Sequence, residues 1–332
     1  MKIIKETIVT RVIPKNLKEK DQDLFRHEYV LKVNSVEEIV YKNVTIDFFG
    51  RILKFCGLIN NPIAINKHKI KWVLKEIFYI YFRRKTKHMS TACWITNEWS
   101  INYAHWITEI LPKIEIIERN FSDCKLLLPI DIYEIGFVKE SLDIFNINVE
   151  TLRIYEKAKV KKMIYIPELV ITGNYIPTLM DSVRSRITSN FFPYKKDKLR
   201  LYISRKNAGS RRILNEIELL DLLKNYNFKI AFLEDLNFGD EVRLFQNTEL
   251  LLAVHGAGLT NMFWMGNEAN IIELRRFDDN VNNCFFSLAS ALKLNYYYLL
   301  CQVDDLNKQT QQNDFYVDIN ELSLLLKQII WS

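Results

Sequence analysis

Three stretches of the chain hold residues whose types and spacing suit anion binding or proton transfer. The first is ELLLAVHGAGLTN, Glu249–Asn261. Its apolar run turns abruptly through His255, Gly256, Ala257 and Gly258 into helical spacing over 259–265. Strand, small-residue turn and helix, in that order, aim backbone N–H groups and the positive end of a helix dipole at whatever lies over the turn. Gly256 and Gly258 lack a Cβ, so a phosphate can approach the backbone closely. A Gly-x-Gly without its third glycine is a weak dinucleotide fingerprint, and a turn that merely closes a βα unit is the competing reading. The second stretch supplies cations, Ser204-Arg205 and Arg211-Arg212, and beyond the turn come Glu273 and Arg275-Arg276. Arginine grips phosphate with paired N–H bonds, and a carboxylate suits ribose hydroxyls. The third is WITNEWSINYAHWITEILP, residues 94–112. His105 and Glu109 stand at i and i+4, on one face of a helix that Asn102 can cap. A histidine near a helix N-terminus is biased towards the neutral form a general base needs. A histidine satisfied within the core is the alternative there.

These residues need elements to place them. Apolar strands are expected at 199–203, 228–233, 250–254, 270–274 and 296–300, with helical spacing at 215–224, 239–246, 259–265 and 284–292 between them. Strict alternation of strand and helix predicts a parallel sheet, which binds ligands beyond the carboxyl ends of its strands. Those ends carry Ser204-Arg205, Glu234-Asp235, His255-Gly256 and Glu273 with Arg275-Arg276. Two cationic sites, a glycine turn and a carboxylate on one edge suit a nucleoside diphosphate. A last amphipathic helix over 318–331 could pack on either domain. The first half reads as irregular and β-rich to about residue 65, then as βα units, with strands near 125–128 and 162–166 and helices at 133–145 and 181–192. Asp21-Gln22-Asp23 has the spacing of a metal-binding acidic pair, although a solvated loop suits its Lys-rich setting better. The Pro- and Lys-rich run at 193–198 marks the expected boundary, dividing the chain into 1–192 and 193–332.

Length bounds the answer to about two domains for 332 residues. A hydrophobic content of 48% is ample for packed cores. The net charge of +6 fits an anionic ligand or lipid surface and is too weak to argue nucleic acid. Five scattered cysteines argue against a disulfide framework or a structural zinc site and for a reducing compartment. The basic and aromatic stretch at 66–90 reads either as a surface touching anionic lipid or as a helix and a buried strand.

At this point the chain resembles glycosyltransferase family 61. The resemblance rests on LYISRKNAGSRRILNEIEL, on LNFGDEVRLFQNTELLLAVHGAGLTNMFWM followed by NIIELRR, and on the upstream NYAHWITEILPKI, over roughly residues 90–275. It implies a GT-B fold, two Rossmann-like doubly wound domains facing one another across a cleft, with the nucleotide held by the C-terminal one. It also implies an inverting transfer from a nucleotide sugar, usually a UDP-sugar. By position, Ser204, Arg205, Arg211 and Arg212 fall in the family's phosphate-binding region, and His255, Gly256, Ala257, Gly258 and Asn261 in its glycine turn. Glu273 is the candidate for the ribose. His105, with Glu109 as second choice, is the candidate base. Asp240-Glu241 departs from the Glu-Gln often found in the family. Further expectations are no metal and no other cofactor, a glycan or lipid-linked glycan acceptor in surface or capsular polysaccharide synthesis, and no nucleic acid partner. Cytoplasmic location, with peripheral contact at the inner membrane face, completes the set. A non-catalytic nucleotide-sugar- or glycan-binding protein derived from a transferase is the rival reading.

Overall fold

The computed structural model describes residues 1–54, 57–58, 85–193 and 198–331. Residues 66–84 of the basic and aromatic stretch, and 194–197 of the expected linker, lie outside the described residues. The chain forms two compact units, Met1–Thr7 with Asn34–Leu169, and Ile8–Val33 with Val170–Ser332. The division after Leu169 differs from the expected one at 193, because the helix Pro177–Thr188 packs with the second unit.

The first unit is built on a seven-stranded mixed sheet. Its strands are β1 (Ile39–Asp47), β2 (Ile52–Lys54), β3 (Gly57–Leu58), β4 (Lys85–Trp94), β5 (Lys125–Pro129), β6 (Val149–Leu152) and β7 (Glu156–Tyr165). The spatial order is β6-β5-β4-β7-β1-β2-β3. The first four are parallel, and β1, β2 and β3 continue the sheet antiparallel. The expected βα units are therefore present, but a meander extends one side of their sheet. A helix over 103–120, α1, follows β4, and two short helices, α2 (Ile130–Tyr133) and α3 (Gly136–Leu142), replace the single one expected at 133–145. Cys93, near the end of β4, is disulfide-bonded to Cys124, just before β5, with Cα atoms 6.1 Å apart. The sequence reading found no pair among the cysteines. These two are distant in the chain and meet only because β4 and β5 are neighbours in the sheet.

The second unit is the regular one. Its sheet comprises β8 (Leu199–Ile203), β9 (Phe228–Ala231), β10 (Thr248–Val254), β11 (Asn270–Arg276), β12 (Asn295–Val303) and β13 (Phe315–Tyr316). The order is β9-β8-β10-β11-β12-β13, with every pair parallel except the last. The helices are α4 (Pro177–Thr188), α5 (Glu216–Lys224), α6 (Phe238–Gln246), α7 (Cys284–Ala291) and α8 (Ile319–Trp331). β10 is buried along nearly its whole length, as an unbroken apolar run in a covered parallel sheet should be. Tyr202, Leu252, Leu274 and Leu299 form one core with Leu219 and Leu223 of α5 and Leu322 and Leu326 of α8. The last helix thus packs on this unit. The strand order reverses between β8 and β10, and such a reversal opens a crevice at the carboxyl edge of a parallel sheet. Among the described residues no helix is long and apolar enough to cross a membrane.

Candidate functional site

The switch point gathers the residues expected there, although not in the roles expected. β10 ends at Val254, and Gly256 leads into a 3-10 helix, Ala257–Trp264. The opening N–H groups of such a helix have no partner within it. A Cβ on Gly256 would lie 3.0 Å from Arg211 Nη1, a tight approach that glycine relieves, and 3.7 Å from Arg205 Nη1, an ordinary contact. Gly258 serves packing instead. Its Cβ position would meet Leu233 Cδ1 at 3.1 Å and Ile203 Cγ2 at 3.5 Å, so glycine lets the turn lie on the end of β8. Ala257 opens the helix, and the buried Asn261 accepts a bond from Trp264 Nε1 at 3.1 Å.

Arg205 and Arg211 are the two cations of this edge. Arg211 donates to the carbonyl of His255 at 3.1 Å, and Arg205 to the carbonyl of Ser210 at 3.1 Å. Among the described residues neither makes an ion pair. Burial lowers the pKa of Arg205 despite the raising effect of Glu234 and Asp314, and burial together with the like charge of Arg205 lowers that of Arg211. Two half-buried like charges, neither in an ion pair among the described residues, suit an anionic ligand. The backbone of Arg211 has φ 58°, a left-handed conformation that disfavours any residue with a Cβ. It is held there by residues at the far end of the chain. Arg211 N donates to the Asn313 carbonyl at 2.9 Å, and Ile213 bridges to Phe315. Arg212, expected on the leaving group, points elsewhere. Its guanidinium forks onto Asp314 Oδ2 at 3.0 and 2.7 Å.

Two further assignments change. Glu273, expected on a ribose, is fully buried. It takes His255 Nδ1 on one oxygen and the Tyr296 hydroxyl, at 2.6 Å, on the other. Burial pushes its carboxyl up, but His255, Arg275 and the hydrogen bonds outweigh that and hold it below the usual carboxylate range. An ionised carboxylate only accepts, so His255 carries its proton on Nδ1 and keeps Nε2 available. Glu273 therefore positions the His255 ring, which also packs edge-on against Phe285 at 5.0 Å. Ser204 braces the loop. It donates to Glu216 Oε1 at 2.7 Å, the same oxygen that takes Tyr202 OH at 2.9 Å.

In the first unit, Asn102 caps α1 by accepting from Ala104 N at 2.9 Å. The helix runs through Tyr103–His105, a π-helical stretch Trp106–Ile110, and Leu111–Asn120. Pro112 has no N–H for residue 108, and the wider π turn just before it accommodates the loss. His105 Nδ1 meets Glu109 Oε1 at 3.0 Å, and Trp99 stacks on the imidazole at 5.7 Å between centroids. Trp106 is fully buried, its Nε1 bonded to Ser141 Oγ at 2.9 Å, so it anchors the helix. One helical turn beyond Glu109 lies Lys113, almost fully buried, with Nζ 3.1 Å from Glu168. Burial lowers the pKa of Lys113, against the raising effects of Glu168 and Glu109. The sequence reading missed Lys113, Glu168 and Trp99. The i+4 continuation from Glu109 was a signal for Lys113, whereas nothing local pointed to Glu168. Among the described residues no group of three or more His, Cys, Asp or Glu could hold a metal ion.

A parallel α/β sheet with an anion-seeking switch point defines a class, and comparison with known proteins narrows it. The family model described as Glycosyltransferase 61 matches residues 103–272, just over half of the chain, and the chain belongs to that family. It is 32% identical over 113 residues to the EGF domain-specific O-linked N-acetylglucosamine transferase of Rattus norvegicus, covering 32% of this chain and 21% of that protein. The Drosophila melanogaster protein of the same name is 36% identical over 110 residues, 31% of this chain and 21% of that one. The Mus musculus protein O-linked-mannose beta-1,4-N-acetylglucosaminyltransferase 2 is 40% identical over 68 residues, 20% of this chain and 12% of that one. The chain spans about a fifth of the length of the first two relatives.

Proposed function

We propose that this protein is an inverting, metal-independent glycosyltransferase of GT-B type that uses a nucleotide sugar. The second unit takes the donor diphosphate and the first supplies the base. The observation that carries this is Arg205 and Arg211 meeting at Gly256, with neither in an ion pair among the described residues. The names of the relatives make UDP-N-acetylglucosamine the first donor to test, and a glycan acceptor follows from the same reading. Surface or capsular polysaccharide is the product class proposed, with contact at the membrane face part of the proposal.

In an inverting transfer the acceptor oxygen attacks the anomeric carbon as the bond from that carbon to the diphosphate oxygen breaks. The electron pair leaves with the nucleotide. His105, steadied by Glu109 and Trp99, takes the proton of the acceptor hydroxyl, a contribution of about 10²–10⁴-fold. Arg205, Arg211 and the amides of the glycine turn stabilise the departing charge, where one preorganised donor is worth about 10²–10³-fold.

Titration with UDP and UDP-N-acetylglucosamine should raise the melting temperature, since stabilisation follows RT ln(1 + [L]/Kd). Arg205→Ala should abolish that rise. No shift with any nucleotide sugar would count against the donor site. Activity should persist in EDTA, and loss in EDTA restored by Mn²⁺ would overturn the metal-independent reading.

A further inference from the structure

Beside the helix that carries His105, the first unit has a cavity of about 360 Å³ to which the roles above assign nothing. It lies where the parallel strands end. Trp94 closes β4 and Pro129 closes β5, while Phe48 and Phe49 come from the turn after the antiparallel β1. The floor is fixed. Gly50 has φ +73°, and a Cβ there would come within 2.8 Å of the Trp94 indole, so backbone and ring both require glycine. The indole N–H is tied to the Thr96 carbonyl at 3.0 Å. Thr96 is among the lining residues, but its hydroxyl is closed off from the open space. It is buried and has no hydrogen-bond partner among the described residues. At the rim stand Asn97 and Ile101, the latter 62% exposed. Asn97 donates to Glu168 at 3.3 Å, the carboxylate that also holds Lys113 on the His105 helix. Trp99, on the same loop, stacks on His105 itself. A single loop, 95–102, thus shapes the cavity and steadies the base.

The geometry points to this cavity as the acceptor subsite, seating one pyranose ring. A pyranose has an apolar C–H face and a girdle of hydroxyls. It matches aromatic walls with the rim amide of Asn97 and the acidic residues Glu98 and Asp131, and the volume is at the small end of ligand pockets, enough for one ring and not for a chain. The assignment rests on the transferase reading above. The same ring chemistry could belong to the donor sugar, and the test separates the two.

Methyl glycosides of glucose, galactose, mannose and N-acetylglucosamine are titrated into the full chain, followed by saturation-transfer NMR and tryptophan fluorescence. UDP and UDP-N-acetylglucosamine are titrated in parallel. At least one glycoside binds, and Ile101→Arg, at an exposed position that folding tolerates, weakens it about tenfold or more. Phe49→Ala, which removes an exposed aromatic wall of the cavity, weakens it several-fold, and UDP affinity stays constant in both variants. Absence of glycoside binding, or equal binding by wild type and variants, overturns the subsite. Loss of affinity for UDP-N-acetylglucosamine but not UDP in Ile101→Arg, with glycosides unaffected, overturns the acceptor assignment in favour of a donor-sugar pocket. Glycosides binding as expected while UDP fails to bind sustains the sugar pocket and overturns the donor site alone.

Discussion

At the scale of single residues, the second unit places strain and charge together. Arg211 occupies the left-handed region, at a cost of roughly 1–2 kcal/mol for an L residue. Asparagine tolerates that region better. Arg211→Asn should therefore be thermally neutral or stabilising, while UDP affinity falls by about tenfold or more, as expected on losing a charge-assisted contact. A variant that keeps UDP affinity would show that Arg211 is structural. Glu273 sets a pH dependence. Its native pKa is depressed, so its contribution to stability is fully present above the ordinary carboxylate value and is lost as pH falls towards the depressed one. Glu273→Gln should flatten the acid limb of the urea-midpoint profile and cost on the order of 1–3 kcal/mol at neutral pH. An acid limb unchanged by the substitution would refute the assignment. The sequence put Glu273 at the carboxyl edge of the sheet and Arg211 at the start of the first crossover, near that edge. It could not reveal that Arg211, and not Arg212, turns inward, because pairing with 313–315, a hundred residues on, sets that direction.

At the scale of elements, the parallel strands of the second unit were legible because an apolar run between helical periods has few other meanings. All five run where expected, each within a few residues at its ends. The 3-10 helix after Gly256 was legible as a helical turn, although not as a 3-10 one. The first unit was harder to read, since its sheet changes from parallel to antiparallel midway and alternation alone does not say where. In α1, the capped start and the spacing of His105 and Glu109 were readable. The π turn was not, because it answers to Pro112 and to tertiary packing together. His105→Ala should lower kcat by about 10²–10⁴-fold and leave UDP affinity unchanged. A kcat within a few-fold of wild type would make His105 a packing residue and leave Glu109 as the base.

At the scale of the whole molecule, the interleaving of the two units has a consequence for how the chain is made. Residues 8–33 belong to the unit completed by 170–332. The ring of Phe25 lies fully buried against Phe286 and Tyr298, at 5.2 and 5.1 Å, and Asp21 accepts from Tyr298 OH at 2.7 Å. The sequence reading took Asp21-Gln22-Asp23 for a solvated loop, since nothing near it announced a partner so far along the chain. A fragment of 170–332 would lack this aromatic plug. It is expected to be insoluble or molten by near-ultraviolet circular dichroism, and to be rescued by supplying 8–33 in trans. A well-folded fragment would show the plug to be dispensable. On the ribosome the segment emerges long before β12, the last of the parallel strands, and must wait for it before it can dock. The second unit therefore cannot close its core until β12 has been made, and until then the apolar face of 8–33 has no partner in that unit.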